Sequence, residues 1–212
     1  MGTGDEVRVG LRERKKQETR IALSWAAIRL CVERGVDNVR VEDIAAEANV
    51  SVRTFRNYFS NKAEAIAARH LDRALRIADE LRARPAGESL WEAVANAVLA
   101  QFALGQEDNG DQSPDRRWVD GVRLMLAEPA LQGEFLKANM AAQAELTAAI
   151  AERTGTDVAT EVYPSLVAAA VGGAITVASD HWMRADPPVP MGTLLRDVFA
   201  QLAAGLPVPS KP

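Results

Sequence analysis

Residues 41–62 read VEDIAAEANVSVRTFRNYFSNK, and the spacing of their apolar positions decides the fold. Val41, Ile44, Ala45 and Ala48 fall at i, i+3, i+4 and i+7, one face of a short helix. Asn49 follows, a residue type that accepts the left-handed conformation ending a helix. Ser51 then suits the N-cap of a further helix over 52–59. The connection EANVS is too short for antiparallel packing and fits a helix-turn-helix. Three positions carry that motif. Ala45 must be small where the helices cross, Asn49 must take the left-handed turn, and Phe55 must anchor the second helix on the core. With Val52, Phe55 and Phe59 turned inward, Arg53, Thr54, Arg56 and Asn57 point outward near the helix N-terminal half. That half of a recognition helix reaches base edges in a major groove. Arg pairs bidentately with guanine and Asn with adenine, so the side-chain types suit reading a sequence. A helix this short is stable only on a scaffold.

The flanking sequence supplies one. Ile21, Trp25, Ile28 and Val32 mark one face of a helix from about Leu11 to Arg34, which Gly35 stops. Asn61 can cap a fourth helix running to about Arg84, broken by Arg84-Pro85 and Gly87. Further helices are predicted over Glu88–Leu104, from near Asp115 behind Pro114, and over Pro129–Arg153. The polar run GQEDNGDQSPD at 105–115 reads as a loop. Thr156-Asp157 opens a helix reaching about Arg184, and after the Pro-rich ADPPVPMG a last one covers Thr193–Ala204. No strand-type alternation of useful length occurs, so the fold class is all-α with about nine helices. The domain boundary is expected near residue 62, with 1–62 the helix-turn-helix domain and its basic arm, and 63–212 a larger helical domain.

Composition narrows the setting. The 212 residues are 48% hydrophobic and 25% charged, an ordinary globular balance. Cys31 is the sole cysteine, which excludes an intramolecular disulfide and a Cys-based zinc site and fits a reducing compartment. The N-terminus lacks the apolar run of a secretory signal, and a cytoplasmic location is expected. Residues 162–179 carry no charge and approach the length of a membrane span. Their Ala, Gly, Pro164, Ser165, Thr176 and Ser179 instead suggest a helix buried on several sides, so no membrane partner is expected. Residues 1–62 hold 12 Lys and Arg against 9 Asp and Glu, whereas the remainder holds 13 against 20. An acidic chain with a basic start, Arg8, Arg12, Arg14, Lys15, Lys16 and Arg20, suggests a polyanion partner at that end, or else a solvated charged helix.

Residues 11–62 also resemble the DNA-binding domain of TetR-type bacterial repressors, through ERG at 33–35, VEDIAAEA at 41–48, NVSVRTFRNYF at 49–59 and SNK at 60–62. The resemblance implies that Thr54, Arg56 and Asn57 meet bases or adjacent phosphates, and that Tyr58 and Lys62 hold phosphates beside the start of the fourth helix. Ser51, Arg53 and Arg40 complete the implied DNA-contacting set. Packing for Tyr58, a solvated charge for Lys62, and a pair between Arg53 and Glu42 or Asp43 are the alternatives. Asn49 stands in place of the usual Gly, Arg40 in place of a capping Thr, and Arg56 where many members carry an aromatic.

For the C-terminal part the resemblance implies small-molecule binding and dimerisation, and no cofactor. Gly172-Gly173 and the last two helices suit a four-helix interface between two copies, or tight packing within one subunit. Trp91, Phe102, Trp118, Met125, Phe135 and Trp182 suit either a pocket lining or plain core. Arg116 and Arg123, with Arg117, could meet a carboxylate or phosphate. RRWVDGVRLMLAEPAL, TGTD and DHW resemble the subgroup with acyl-CoA-like ligands. The implied protein is a homodimer on a pseudo-palindromic double-stranded operator, released by a small hydrophobic or acyl-CoA-like effector. An all-α enzyme and a helical adaptor are the rivals. Against the enzyme, no nucleophile–base pair, phosphate loop or metal constellation is present, and His70 and His181 are the only histidines.

Overall fold

The computed structural model describes residues 3–103, 116–187 and 189–208, with side chains from residue 14 onward. The polar loop read at 105–115, with Pro114, and the side chains of Arg8 and Arg12 lie outside that description. Among the described residues there are nine α-helices, one 3-10 turn and no strand, the all-α architecture that the periodicity predicts. In order they are α1 (Thr3–Arg34), the 3-10 turn (Val36–Asn38), α2 (Val41–Glu47), α3 (Val52–Arg56) and α4 (Lys62–Ala83). They continue with α5 (Leu90–Ala103), α6 (Arg116–Leu126), α7 (Pro129–Thr154), α8 (Tyr163–Arg184) and α9 (Met191–Ala203).

Two compact units result. The first holds the chain up to His70 together with Gly121–Leu136. Its core joins Leu23, Ala27 and Leu30 of α1, Ile44 and Ala45 of α2, and Phe55, Phe59 and Ile66 around the α3–α4 junction. The buried Ser24 hydroxyl donates to the Ala65 carbonyl at 2.7 Å, so this polar group crosses from α1 to α4 without an unmet bond. Gly121 of α6 lies against α1. A Cβ there would stand 2.6 Å from Val32 Cγ1 and 2.8 Å from the Val32 carbonyl oxygen, so glycine alone permits this approach.

The second unit holds Leu71–Asp120 and the chain from Lys137 onward. Its core is built where α5 and α8 pack on α9, around Val94, Val98, Val171, Leu195 and Phe199. The Arg153 guanidinium donates to the carbonyls of Arg84 at 3.2 Å, Pro85 at 2.7 Å and Glu88 at 2.9 Å. One side chain thereby ties together the carbonyls of the turn where Pro85 ends α4, adding to the Glu88 N–H bond that the Pro85 carbonyl already accepts at 3.2 Å. The Arg84 guanidinium pairs with Glu88 and, through that hydrogen bond, holds the Glu88 carboxyl below the ordinary carboxylate range.

Three helix boundaries differ from the sequence expectation. First, α8 starts at Tyr163 and not at Thr156-Asp157. The Asp157 carboxylate accepts instead from the Ala159 N–H at 2.9 Å and the Thr160 hydroxyl at 3.0 Å, closing a local turn, and Pro164 sets the true start. Second, α3 ends at Arg56, although the Phe59 N–H still donates to the Phe55 carbonyl at 2.9 Å and prolongs the turn. Third, α1 begins at Thr3, well before the first apolar repeat.

By length and composition α8 could cross a membrane. Its packing explains the uncharged run differently. Pro164, Val167, Ala168, Val171, Ala174 and Ala178 are buried on one face, while Leu166, Gly172, Gly173 and Val177 are exposed on the other.

Candidate nucleic-acid interface

The frame of the interface is the turn between α2 and α3. Asn49 adopts φ +54°, the left-handed conformation that the turn requires. Ala45 is 1% exposed and Phe55 is 0% exposed, so the crossing point is tight and α3 is anchored by a fully buried ring. Phe55 and Phe59 stack in a tilted pair with centroids 5.8 Å apart. Ser51 caps α3, its Oγ accepting from the Thr54 N–H at 3.0 Å and sharing a proton with the Thr54 hydroxyl at 2.9 Å. Arg53, Arg56 and Asn57 are exposed on α3 and its last turn, and Thr54 and Tyr58 are half-buried.

At the start of α2, Arg40 occupies the N-cap position with no acceptor to offer. Only the reciprocal half of a capping box is made by side chain, the Asp43 carboxylate accepting from the Arg40 N–H at 2.8 Å, while the Asp43 N–H donates to the Arg40 carbonyl at 3.1 Å. The Arg40 guanidinium therefore has no capping duty, and the residue is exposed. Arg29 of α1 pairs with Glu47 at the end of α2 at 3.0 Å, a surface contact that adds little beside the buried packing of Ile44 and Ala45.

Asn61 caps α4, its Oδ1 accepting from the Glu64 N–H at 2.8 Å, while Glu64 accepts from the Ser60 N–H and hydroxyl at 2.7 and 2.6 Å. Sequence reading found Asn61 but missed this reciprocal Ser60–Glu64 half, although a Ser followed four residues later by Glu was visible. Lys62 has an inward role as well. Its half-buried ammonium donates to the carbonyls of Val36 and, at 3.0 Å, Val39, tying the 3-10 turn to the head of α4. The same ammonium lowers the Cys31 thiol, but burial outweighs it and the thiol stays above its ordinary value. Replacing Lys62 by Met should therefore lower the melting temperature. A cost of about 1–3 kcal/mol is expected for carbonyls left unmet, read by thermal circular dichroism. An unchanged melting curve would mean that these two bonds do not hold the 3-10 turn to α4.

The predicted effector residues do not form one group by core membership. Trp91, Phe102 and Trp182 pack against the core of the second unit, with the Arg73 guanidinium over the Phe102 ring at 4.4 Å. Met125 and Phe135 belong to the core of the first, Phe135 meeting the His70 ring edge-on at 5.6 Å. Arg116 is paired with Asp186 at 2.9 Å and Asp120 at 3.6 Å, so its charge is already opposed by two carboxylates. Trp118 and Arg123 are half-buried. No group of three or more His, Cys, Asp or Glu residues suited to a metal occurs among the described residues.

Sequence reading also missed the contact of Arg20, whose guanidinium lies over the Phe59 ring at 5.4 Å from its centroid. No local signal reveals it, because the two residues meet only once α1 and the α3–α4 junction are packed.

Comparison with known proteins agrees with this geometry. The family described as "Bacterial regulatory proteins, tetR family" matches residues 25–68, and "MftR C-terminal domain" matches 88–207. The HTH-type transcriptional regulator TcmR of Streptomyces glaucescens is 33% identical over 188 residues, covering 84% of this chain and 79% of that protein. The putative mycofactocin biosynthesis transcriptional regulator MftR of Mycobacterium tuberculosis is 29% identical, with 95% and 96% covered. Among solved structures, a putative TetR-family regulator from Syntrophomonas wolfei superposes with TM-score 0.63 at 19% identity, over 91% of this chain and 98% of that one. FadR from Bacillus subtilis, solved in complex with stearoyl-CoA, gives 0.59 at 19% identity, over 87% and 97%.

Proposed function

The chain belongs to the TetR family of bacterial regulatory proteins, and on that premise we propose that it is a cytoplasmic, homodimeric repressor released from DNA by a small molecule. Regulators of this family bind DNA operators and dimerise. The observation that carries the reading is the exposure of Arg53, Arg56 and Asn57 on a helix whose opposite side is locked by Phe55. Each subunit inserts α3 into a major groove, with centres about 34–36 Å apart or somewhat more on a pseudo-palindromic operator. Arg56 and Asn57 read base edges. Arg53, Thr54, Tyr58 and Arg40 meet phosphates, and Lys62 adds its remaining proton there.

The domain division is proposed near residue 62, with the helical remainder binding the effector and forming the dimer. The effector is a hydrophobic, acyl-CoA-like molecule. This is supported by the aromatic side chains of the second unit and by FadR of Bacillus subtilis having been solved with stearoyl-CoA. Its binding pivots α4 and changes the separation of the two recognition helices. No catalytic role is assigned, in keeping with the regulators to which the chain is similar.

Fluorescence anisotropy with duplexes tiled across the upstream DNA of the gene tests this. Arg56→Ala and Asn57→Ala should each lower preference for the best duplex over a scrambled one by about 1–3 kcal/mol. Preference unaltered by both substitutions would remove base reading from α3.

A further inference from the structure

We infer that the corner between α6 and α7, Gly121–Leu136, is the part of the chain through which the second unit positions the recognition helix, with Gly121 the positioning residue. The inference rests on the repressor reading above and adds a second route of control to the pivoting of α4. It starts from a mismatch between chain order and packing. α6 opens at Arg116 and α7 closes at Thr154, both in the second unit, yet the corner where they meet belongs to the first. Met125 and Leu131 are 5% and 0% exposed in the core that also buries Leu23, Ile44 and Phe55, and Leu126 and Phe135 pack against it. The DNA-binding unit is thus completed by a segment far beyond the helix-turn-helix in the chain.

Gly121 makes that corner a joint without slack. Many helix contacts are cushioned by side chains that can change rotamer. Here a Cβ would stand 2.8 Å from the Val32 carbonyl oxygen, so the α6 backbone approaches the α1 backbone directly. A tilt of α6 must therefore push or release α1 at this point. Val32 lies in the last turn of α1, and the neighbouring Cys31 carbonyl accepts from the Gly35 N–H at 3.0 Å, where the 3-10 turn begins. The carbonyls of Val36 in that turn and of Val39 after it hold the Lys62 ammonium at the head of α4. Phe59, closing the turn after α3, is buried with Ile66 of α4 in the same core. Gly121, Val32, the 3-10 turn, Lys62 and Phe59 thus form one contiguous series of packed or hydrogen-bonded groups. Trp118 stands one turn before Gly121 on the same helix and belongs to the second unit. An effector that shifts α6 by a fraction of an ångström meets no soft contact at Gly121 to absorb the shift.

The test uses the full chain with Gly121→Ala, whose added methyl forces α6 off Val32. Nitroxides on Ala46→Cys and Gln143→Cys, both exposed and one in each unit, report a distance in a Cys31→Ala background diluted with unlabelled chain. Fluorescence anisotropy reads binding to an upstream duplex and to a scrambled one. Leu23→Ala, fully buried in the same core but well before Val32 on α1, is the control for lost stability. The proposal expects the distance to move by about 2 Å or more in Gly121→Ala. Affinity for the preferred duplex should fall at least about tenfold, with the scrambled duplex changed less than about threefold. Leu23→Ala should lower the melting temperature yet leave the distance, read well below melting, in place. An unmoved distance and affinity in Gly121→Ala overturn the proposal. So does an equal movement in Leu23→Ala, which would reduce Gly121 to a contributor to stability. If Gly121→Ala does not fold, Val32→Ala loosens the same joint from the other side, and the same two readouts decide. The two readings fail separately: a parent chain with no duplex preference loses the α3 reading, while a distance that moves only in Gly121→Ala keeps the joint.

Discussion

Phe55→Ala is expected to abolish DNA binding to every sequence while leaving the exposed reading residues untouched. The ring is fully buried and stacked on Phe59, so its removal leaves a cavity at the point where α3 is anchored. Truncations of this kind cost about 3–5 kcal/mol, a large part of the stability of an ordinary domain. A fall of about 10 °C or more in melting temperature should accompany the loss of binding. The contrast with Arg56→Ala is the informative part. That residue is exposed, and its removal should leave the melting curve in place while changing which duplex is preferred. A Phe55→Ala protein that melts normally and binds DNA normally would mean that α3 is not held by this ring.

Gly173→Leu is expected to convert the dimer to a monomer and lower operator affinity at least a hundredfold. Within one chain nothing lies within 4 Å of a Cβ at this position, so the subunit itself tolerates the side chain. Replacing a mid-helix glycine should even favour the helix by up to about 1 kcal/mol. The exposed face of α8 tells a different story. Val162 is 81%, Leu166 65% and Val177 48% exposed, and together with Gly173 they recur at helical spacing along one stripe. A contiguous exposed apolar stripe of this kind is what an association surface between copies requires. If two copies meet there, the glycine sets how closely the helices approach, and leucine forces them apart. Analytical ultracentrifugation of the variant beside the parent reads the outcome. A variant that remains a dimer would place the interface elsewhere.

Much of this architecture is legible in the sequence because it depends on local chemistry. Ala45, Asn49 and Phe55 are constrained by geometry within ten residues of one another, and the structure has them small, left-handed and buried as predicted. Ser51 and Asn61 are caps for the same reason. What escapes is whatever depends on residues distant in sequence. Lys62 reaches carbonyls more than twenty positions earlier, and Gly121 meets Val32 across the packed unit. The aromatic residues looked alike as a set, yet Met125 and Phe135 join one core while Trp91, Phe102 and Trp182 join another. The start of α8 departs from the sequence expectation because Asp157 and Thr160 close a turn of their own, a choice that only the later Pro164 resolves. The early start of α1 escaped a reading based on apolar periodicity, since its first turns are dominated by charge.

The central claim is that this chain recognises a DNA sequence. It is tested most directly by titrating the purified protein against duplexes from its own upstream region and against scrambled duplexes of equal length and composition, at fixed salt. The account predicts one upstream duplex bound about a thousandfold or more tightly than its scrambled counterpart. Equal binding to every duplex, native and scrambled, would contradict it.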